Sequence, residues 1–82
     1  MSQAKATFQA RNNDGELAPL TVRVGDYVGF KSDIEQYGAI ISIKPTSYGD
    51  FALTLYNQNG FEGHYIGGDT KTVVRSSDIW VD

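Results

Sequence analysis

Turn-forming residues interrupt this 82-residue chain so often that no long helix fits between them. Clusters of Gly, Asn, Asp and Ser recur at intervals of roughly ten residues, which is the spacing typical of short antiparallel strands. No window places apolar residues consistently at the i, i+3, i+4 and i+7 positions of an amphipathic helix. The segments between the turns mostly alternate apolar and polar residues, as half-buried strands do. The sequence therefore predicts an all-β fold.

We predict seven short strands and a compact arrangement that hides their edges. The strands cover the segments KATFQAR, ELAPLTVRV, YVGFK, AIISI, FALTLYN, TKTVVR and IWV. Pro19 cannot donate a hydrogen bond to a neighbouring strand, so its segment is expected at a sheet edge or at the start of a strand. Gly29 and Gly38 permit sharp bends. Because short strands leave unpaired backbone at their edges, we expect the sheet to curl into a small barrel.

The last of these segments follows a break in the β pattern. Ser76, Ser77 and Asp78 can hydrogen-bond to their own backbone, which predicts a single 3₁₀-like turn between two strands. Ile79 is then expected to return to the core. Alternation places Trp80 outside the main core, where it is covered either by residues 4–24 or by a binding partner.

Composition argues for a soluble protein of mildly acidic character. The formal net charge is −3, and the seven Lys and Arg residues are scattered rather than clustered. Such a charge disfavours non-specific binding to nucleic acid, and it is too small for a DNA mimic. The chain has no cysteine and no apolar run approaching the roughly 20 residues that span a bilayer. We expect a cytoplasmic protein without a membrane segment.

The sequence contains no recognisable catalytic or metal-binding constellation. His64 is the only histidine, and the nearby Glu62 and Asp69 make at most a weak ligand set. No cysteine nucleophile exists, and GGDTKT at 67–72 lacks the spacing of a phosphate-binding loop. We therefore expect a protein that is not an enzyme and that has no cofactor.

Four segments of the chain resemble a known superfamily. VGDYVGF, YGAIISI, FALTLYN and TVVRSSDI are similar to the SH3-like small-barrel superfamily, with KOW and Tudor domains as the nearest-looking members. The resemblance covers residues 24–81 and implies an SH3-like barrel of five strands with a 3₁₀ turn before the last strand. Residues 1–23 lie outside it and are expected to form an added N-terminal β-hairpin or arm, so that residues 24–82 form the barrel.

The resemblance implies binding through two loops, residues 32–38 and 61–69. Aromatic residues in these loops would anchor a protein partner, since Tyr and Phe supply contact area with little loss of entropy. The expected anchors are Tyr37, Phe61 and Tyr65, with a rim of Asp33, Glu35 and Asp69. Trp80, which lies outside the two loops, is a further candidate for contact with the partner. Two other interpretations remain open for the aromatic residues of these loops: they could cover an open end of the barrel, or they could form a cage for a cation.

The sequence thus predicts a non-catalytic module that binds another protein, as a small subunit or regulator of a larger assembly. The alternative is an accessory domain that binds RNA or DNA through the same aromatic end. In that case the phosphates would be contacted by Lys31, Lys71 and Arg75. Assembly through the sheet edge near Pro19 is a further alternative. The sequence does not identify the partner or the oligomeric state.

Overall fold

A computed structural model describes residues 3–12, 14–31, 35–61 and 70–81, and these residues form an all-β protein. This confirms the predicted fold class. The described residues form seven strands, and a 3₁₀ turn (Ser76–Asp78) lies between the last two. The strands are β1 (Lys5–Asn12), β2 (Leu17–Arg23), β3 (Tyr27–Lys31), β4 (Glu35–Pro45), β5 (Phe51–Tyr56), β6 (Lys71–Arg75) and β7 (Ile79–Val81).

The strands form one mixed sheet in the order β2-β1-β7-β3-β4-β5-β6. All neighbours are antiparallel except β1 and β7, which run parallel. The sheet is open, so the closed five-stranded barrel predicted from the sequence is not observed. The reason lies in β7, which pairs with β1 along one edge and with β3 along the other. β6 therefore finds no partner for its outer edge among the described strands.

The core lies on one face of the sheet, and all seven strands contribute residues to it. The first hairpin, β1–β2, contributes three of its members, so the N-terminal residues are part of the same core as the rest of the chain. Partly buried apolar residues pack around this cluster. The buried apolar residues are Ala6, Ala10, Val22, Phe30, Ile40, Ile43, Leu53, Leu55, Phe61, Val74 and Ile79.

The first turn shows how a short polar sequence fixes a hairpin. The side-chain oxygen of Asn12 accepts hydrogen bonds from the backbone N–H groups of Asp14 and Glu16, both at 3.0 Å. Gly15 follows with a φ of 81°, a value that favours glycine. These contacts form the turn that joins β1 to β2. β2 lies at one edge of the sheet, so one of its sides pairs with no strand of the described residues. Pro19, which has no N–H to donate, is tolerated in such an edge strand.

Strand β4 is longer than the sequence suggests. We predicted a loop over residues 32–38, but residues 35–38 belong to β4, where Glu35 pairs with Lys31 and Tyr37 pairs with Gly29. Pairing with both β3 and β5 extends β4 in both directions, and a register shift between Ile40 and Ser42 accommodates its curvature. Tyr37 therefore lies on the sheet and not in a loop.

The predicted 3₁₀ turn is confirmed at Ser76–Asp78. We predicted that Ser76 hydrogen-bonds within its own segment, but its side chain contacts a different strand. It is buried, and its Oγ accepts the backbone N–H of Phe51 at 3.1 Å, which ties the turn to the start of β5. Ile79 is fully buried and Trp80 is half-buried, as alternation predicts.

Candidate functional site

A cross-strand row on the outer face of the sheet, the face away from the core, brings two predicted site residues together. Trp80 of β7 pairs with Arg11 of β1 on one side and with Gly29 of β3 on the other. Gly29 in turn pairs with Tyr37 of β4. Paired residues share a face of the sheet. Trp80 and Tyr37 thus lie in one row, separated by a residue without a side chain.

A second row runs beside the first. Tyr27 pairs with Ala39, Ala39 pairs with Tyr56, and Tyr56 pairs with Lys71 of β6. Tyr27 is 65% exposed and Tyr56 is 39% exposed. We call the set of Tyr27, Tyr37, Tyr56 and Trp80 the aromatic face.

Gly29 shapes the centre of the aromatic face. The rings of Tyr27 and Tyr37 are almost parallel, with an interplanar angle of 3° and centroids 6.2 Å apart. A Cβ atom at Gly29 would lie 2.8 Å from Cε1 of Tyr37. The Tyr37 ring therefore lies directly over the Gly29 backbone, and any side chain at position 29 would displace it.

An open groove of about 390 Å³ lies beside the paired rings. Its lining is largely apolar, and the lining residues with a polar side-chain group are two tyrosines and a tryptophan. Such a lining suits an apolar side chain whose orientation is fixed by a few polar contacts. The lining residues are Leu20, Tyr27, Val28, Gly29, Tyr37, Trp80 and Val81.

A cation lies over the ring of Trp80, one of the residues that line this groove. The Lys31 ammonium lies 3.7 Å from the centroid of the Trp80 ring, and Lys31 is two residues from Gly29 on the same face of β3. The negative face of an indole ring attracts a cation at this distance. The contact fixes the position of the ammonium beside the aromatic face.

Phe61, a predicted anchor, lies in the core instead of on the surface. It is 1% exposed, and its ring centroid lies 5.8 Å from that of Phe30. Its ring fills space next to Gly38, where the lack of a side chain leaves room for it. Because Phe61 shows almost no surface, we exclude it from the candidate site. Asp33, Tyr65 and Asp69 lie outside the described residues, as does the side chain of Glu35.

Tyr27 is a surface residue that the sequence analysis did not select. A signal for it existed, because alternation assigns Tyr27, Gly29 and Lys31 to the face opposite Val28 and Phe30. The sequence does not reveal which strands lie next to β3. The rows that join Tyr27 to Tyr37 and Trp80 depend on that non-local pairing.

The cations proposed for nucleic-acid contact have different roles. Lys31 and Lys71 border the aromatic face, whereas Arg75 forms an ion pair in which its Nε donates to Asp50 Oδ2 at 2.7 Å. The Thr46 hydroxyl donates to the other oxygen of Asp50. Arg75 therefore joins β6 to the turn between β4 and β5.

This ion pair gives stability a pH dependence. The hydrogen bond from Arg75, followed by that from Thr46, lowers the pKa of Asp50 below its ordinary value. A carboxyl with a lowered pKa in the folded state stabilises the fold above its unfolded pKa, and this contribution is lost as pH falls through its folded pKa. We expect the difference in free energy of unfolding between wild type and Asp50→Asn to be largest near pH 7 and to shrink below about pH 4.

Urea denaturation at a series of pH values measures this difference. Asp14→Asn is the control, because it removes the same charge from an exposed turn. A wild-type advantage over Asp50→Asn that grows on acidification would contradict the assignment.

Within the described residues, no group of three or more His, Cys, Asp or Glu side chains could hold a metal ion. A search of the same part of the chain for a helix able to cross a bilayer found none. Comparisons of the chain with protein-family models, with curated proteins and with solved structures gave no significant match.

Proposed function

We propose that this chain is a non-catalytic module that binds another protein through its aromatic face, as a small subunit or regulator of a larger assembly. The observation that carries this proposal is the exposed, parallel pair of Tyr27 and Tyr37 beside the apolar groove. Tyrosine and tryptophan supply most of the energy at many protein interfaces. Exposed apolar patches with a polar rim commonly mark sites of interaction with other molecules.

The arrangement of the strands gives a second, more general argument for a binding function. We propose that residues 24–81 are related to the SH3-like small barrels, of KOW or Tudor type. Support comes from the five consecutive strands β3 to β7, which are neighbours in the sheet in the order β7-β3-β4-β5-β6. A 3₁₀ turn precedes the last of these strands, as in that superfamily. The β1–β2 hairpin is then an addition that pairs with β7. Domains of that superfamily bind other molecules and are not usually catalysts.

The double variant Tyr27→Ala/Tyr37→Ala tests the contact surface. A partner captured from a nuclease-treated lysate would be identified, purified and titrated against both proteins by calorimetry. We expect the variant to bind at least about tenfold more weakly, since truncating central aromatic anchors typically costs 2 kcal/mol or more.

The matched control is Tyr48→Ala, which removes a tyrosine that is 82% exposed and lies outside the aromatic face, in the turn between β4 and β5. Equal weakening by both variants would contradict a localised site. Loss of the captured material on nuclease treatment would favour the nucleic-acid alternative instead.

A further inference from the structure

The pairing of β2 with β1 identifies which backbone groups of this edge strand face outward. The Val24 N–H donates to the Ala4 oxygen at 3.0 Å, and the Asn12 N–H donates to the Glu16 oxygen at 2.9 Å. Hydrogen-bonded pairs alternate with non-hydrogen-bonded pairs along an antiparallel ladder, so the odd-numbered residues of β2 direct their backbone groups away from β1. These residues are Leu17, Pro19, Thr21 and Arg23.

Two of these four residues cannot pair fully with an incoming strand. Pro19 has no N–H, so it offers an acceptor alone. The Arg23 N–H donates to Oδ2 of Asp26 at 2.8 Å, and the Arg23 oxygen accepts the N–H of Asp26 at 3.0 Å. Both outward groups of Arg23 are therefore already engaged by the turn that follows β2.

Contacts with β4 hold that turn in place. Gly25 has a φ of 101°, a value that favours glycine. Its N–H donates to the Ile40 oxygen, and the Ile40 N–H donates to the Asp26 oxygen, both at 2.8 Å. These bonds attach the turn to β4, so the backbone on both sides of the Asp26 carboxylate is positioned independently of the bond that it accepts from Arg23.

We propose that Pro19 and the Asp26 carboxylate close the β2 edge to other chains, so that the protein does not assemble by adding a strand there. An incoming strand bonds to every second residue of an edge, and of the four outward-facing residues only Leu17 and Thr21 keep both groups for it. Pro19 separates these two residues, so no two successive positions of a ladder are complete. Without such blocks, an edge strand of seven residues is a template for pairing with another chain.

This inference is independent of the proposed function. The aromatic face lies on β3, β4, β5 and β7, whereas the blocked edge belongs to β2. It opposes the alternative in which the chain assembles through the sheet edge near Pro19.

The double variant Pro19→Thr/Asp26→Ala tests the inference by reopening the edge. We expect it to self-associate at a concentration at least about tenfold lower than wild type, because each added backbone hydrogen bond favours pairing. Sedimentation velocity over a concentration series measures this. Pro19→Thr alone should give a smaller increase, and it supplies the reading if thermal unfolding shows that the double variant is not folded.

Two further variants separate edge pairing from non-specific association. Thr21→Pro, added to the double variant, removes an outward N–H from the reopened edge and should return association to the wild-type level. Asp26→Asn removes the same charge as Asp26→Ala but keeps a side-chain oxygen that can accept the Arg23 N–H, so it should behave as wild type. A folded double variant that associates no more than wild type, or whose association survives Thr21→Pro, would overturn the inference.

Amide hydrogen exchange followed by NMR tests the wild-type edge directly. The Thr21 N–H faces outward, whereas the Val22 N–H is directed toward Ala6 of β1. We expect the Thr21 amide to exchange faster than the Val22 amide. Equal protection of the two amides would show that the edge is already paired and would also overturn the inference.

Discussion

Phe61→Ala should lower the free energy of unfolding by about 3–5 kcal/mol, because it removes a fully buried ring and leaves a cavity. The ring packs against Phe30 and lies next to the backbone of Gly38, so few neighbouring atoms can move into the space. A loss of this size is a large part of the stability of a small domain. Urea denaturation monitored by circular dichroism measures it.

Tyr37→Ala is the comparison for this prediction. Tyr37 is 36% exposed and lies on the outer face, so its truncation should cost clearly less stability than that of Phe61. Phe61→Leu keeps most of the buried volume, and it provides a measurable intermediate value if Phe61→Ala does not fold. A loss for Phe61→Ala no greater than that for Tyr37→Ala would contradict the core position of Phe61.

Gly38→Ala should cost about 1–3 kcal/mol of stability, although it adds a single methyl group. The new Cβ would lie 3.0 Å from Cβ of Leu55, 3.0 Å from Cζ of Phe61 and 3.2 Å from the backbone oxygen of Tyr56. These atoms belong to the backbone or to packed core side chains. They have little freedom to withdraw, so the crowding strains the core.

Gly29→Ala is the matched control and should behave differently. Its Cβ meets the ring of Tyr37, which is partly exposed and can rotate away from the sheet. We expect a smaller loss of stability but weaker partner binding, because the pair of Tyr27 and Tyr37 would be disrupted. Denaturation and calorimetry on both glycine variants test this contrast. Equal stability losses for the two variants would show that the outer face is as tightly packed as the core.

Local patterns were sufficient to predict the strands and the 3₁₀ turn. Alternation within YVGFK separates Val28 and Phe30 from Tyr27, Gly29 and Lys31. In the structure Phe30 lies in the core and Val28 packs against it, whereas Tyr27 is exposed. Ser76 to Asp78 form the expected turn, although the Ser76 side chain bonds to the start of β5 and not to its own segment. These features depend on neighbours in sequence, which is why the sequence reveals them.

The site depends on non-local pairing, and here local patterns misled. Ser, Asp and Gly in SDIEQYG indicate a loop, but pairing with β3 overrides that preference and places Tyr37 on the sheet. Phe61 lies between a turn signal and a Gly-rich segment, which suggests a surface position. Its ring is nevertheless buried in the core, where it packs beside Gly38. The rows of the aromatic face follow from which strands are neighbours, and sequence alternation does not specify that.

The position of β7 has a consequence for how the chain folds. Three residues, Ile79–Val81, join a β1–β2 hairpin to a β3–β6 meander, so two locally formed halves become one sheet only when this segment docks. The contacts that β7 makes with β1 span most of the chain, and such long-range contacts slow folding because a large loop must close first. We expect β7 docking to be a late event that makes the folding transition cooperative.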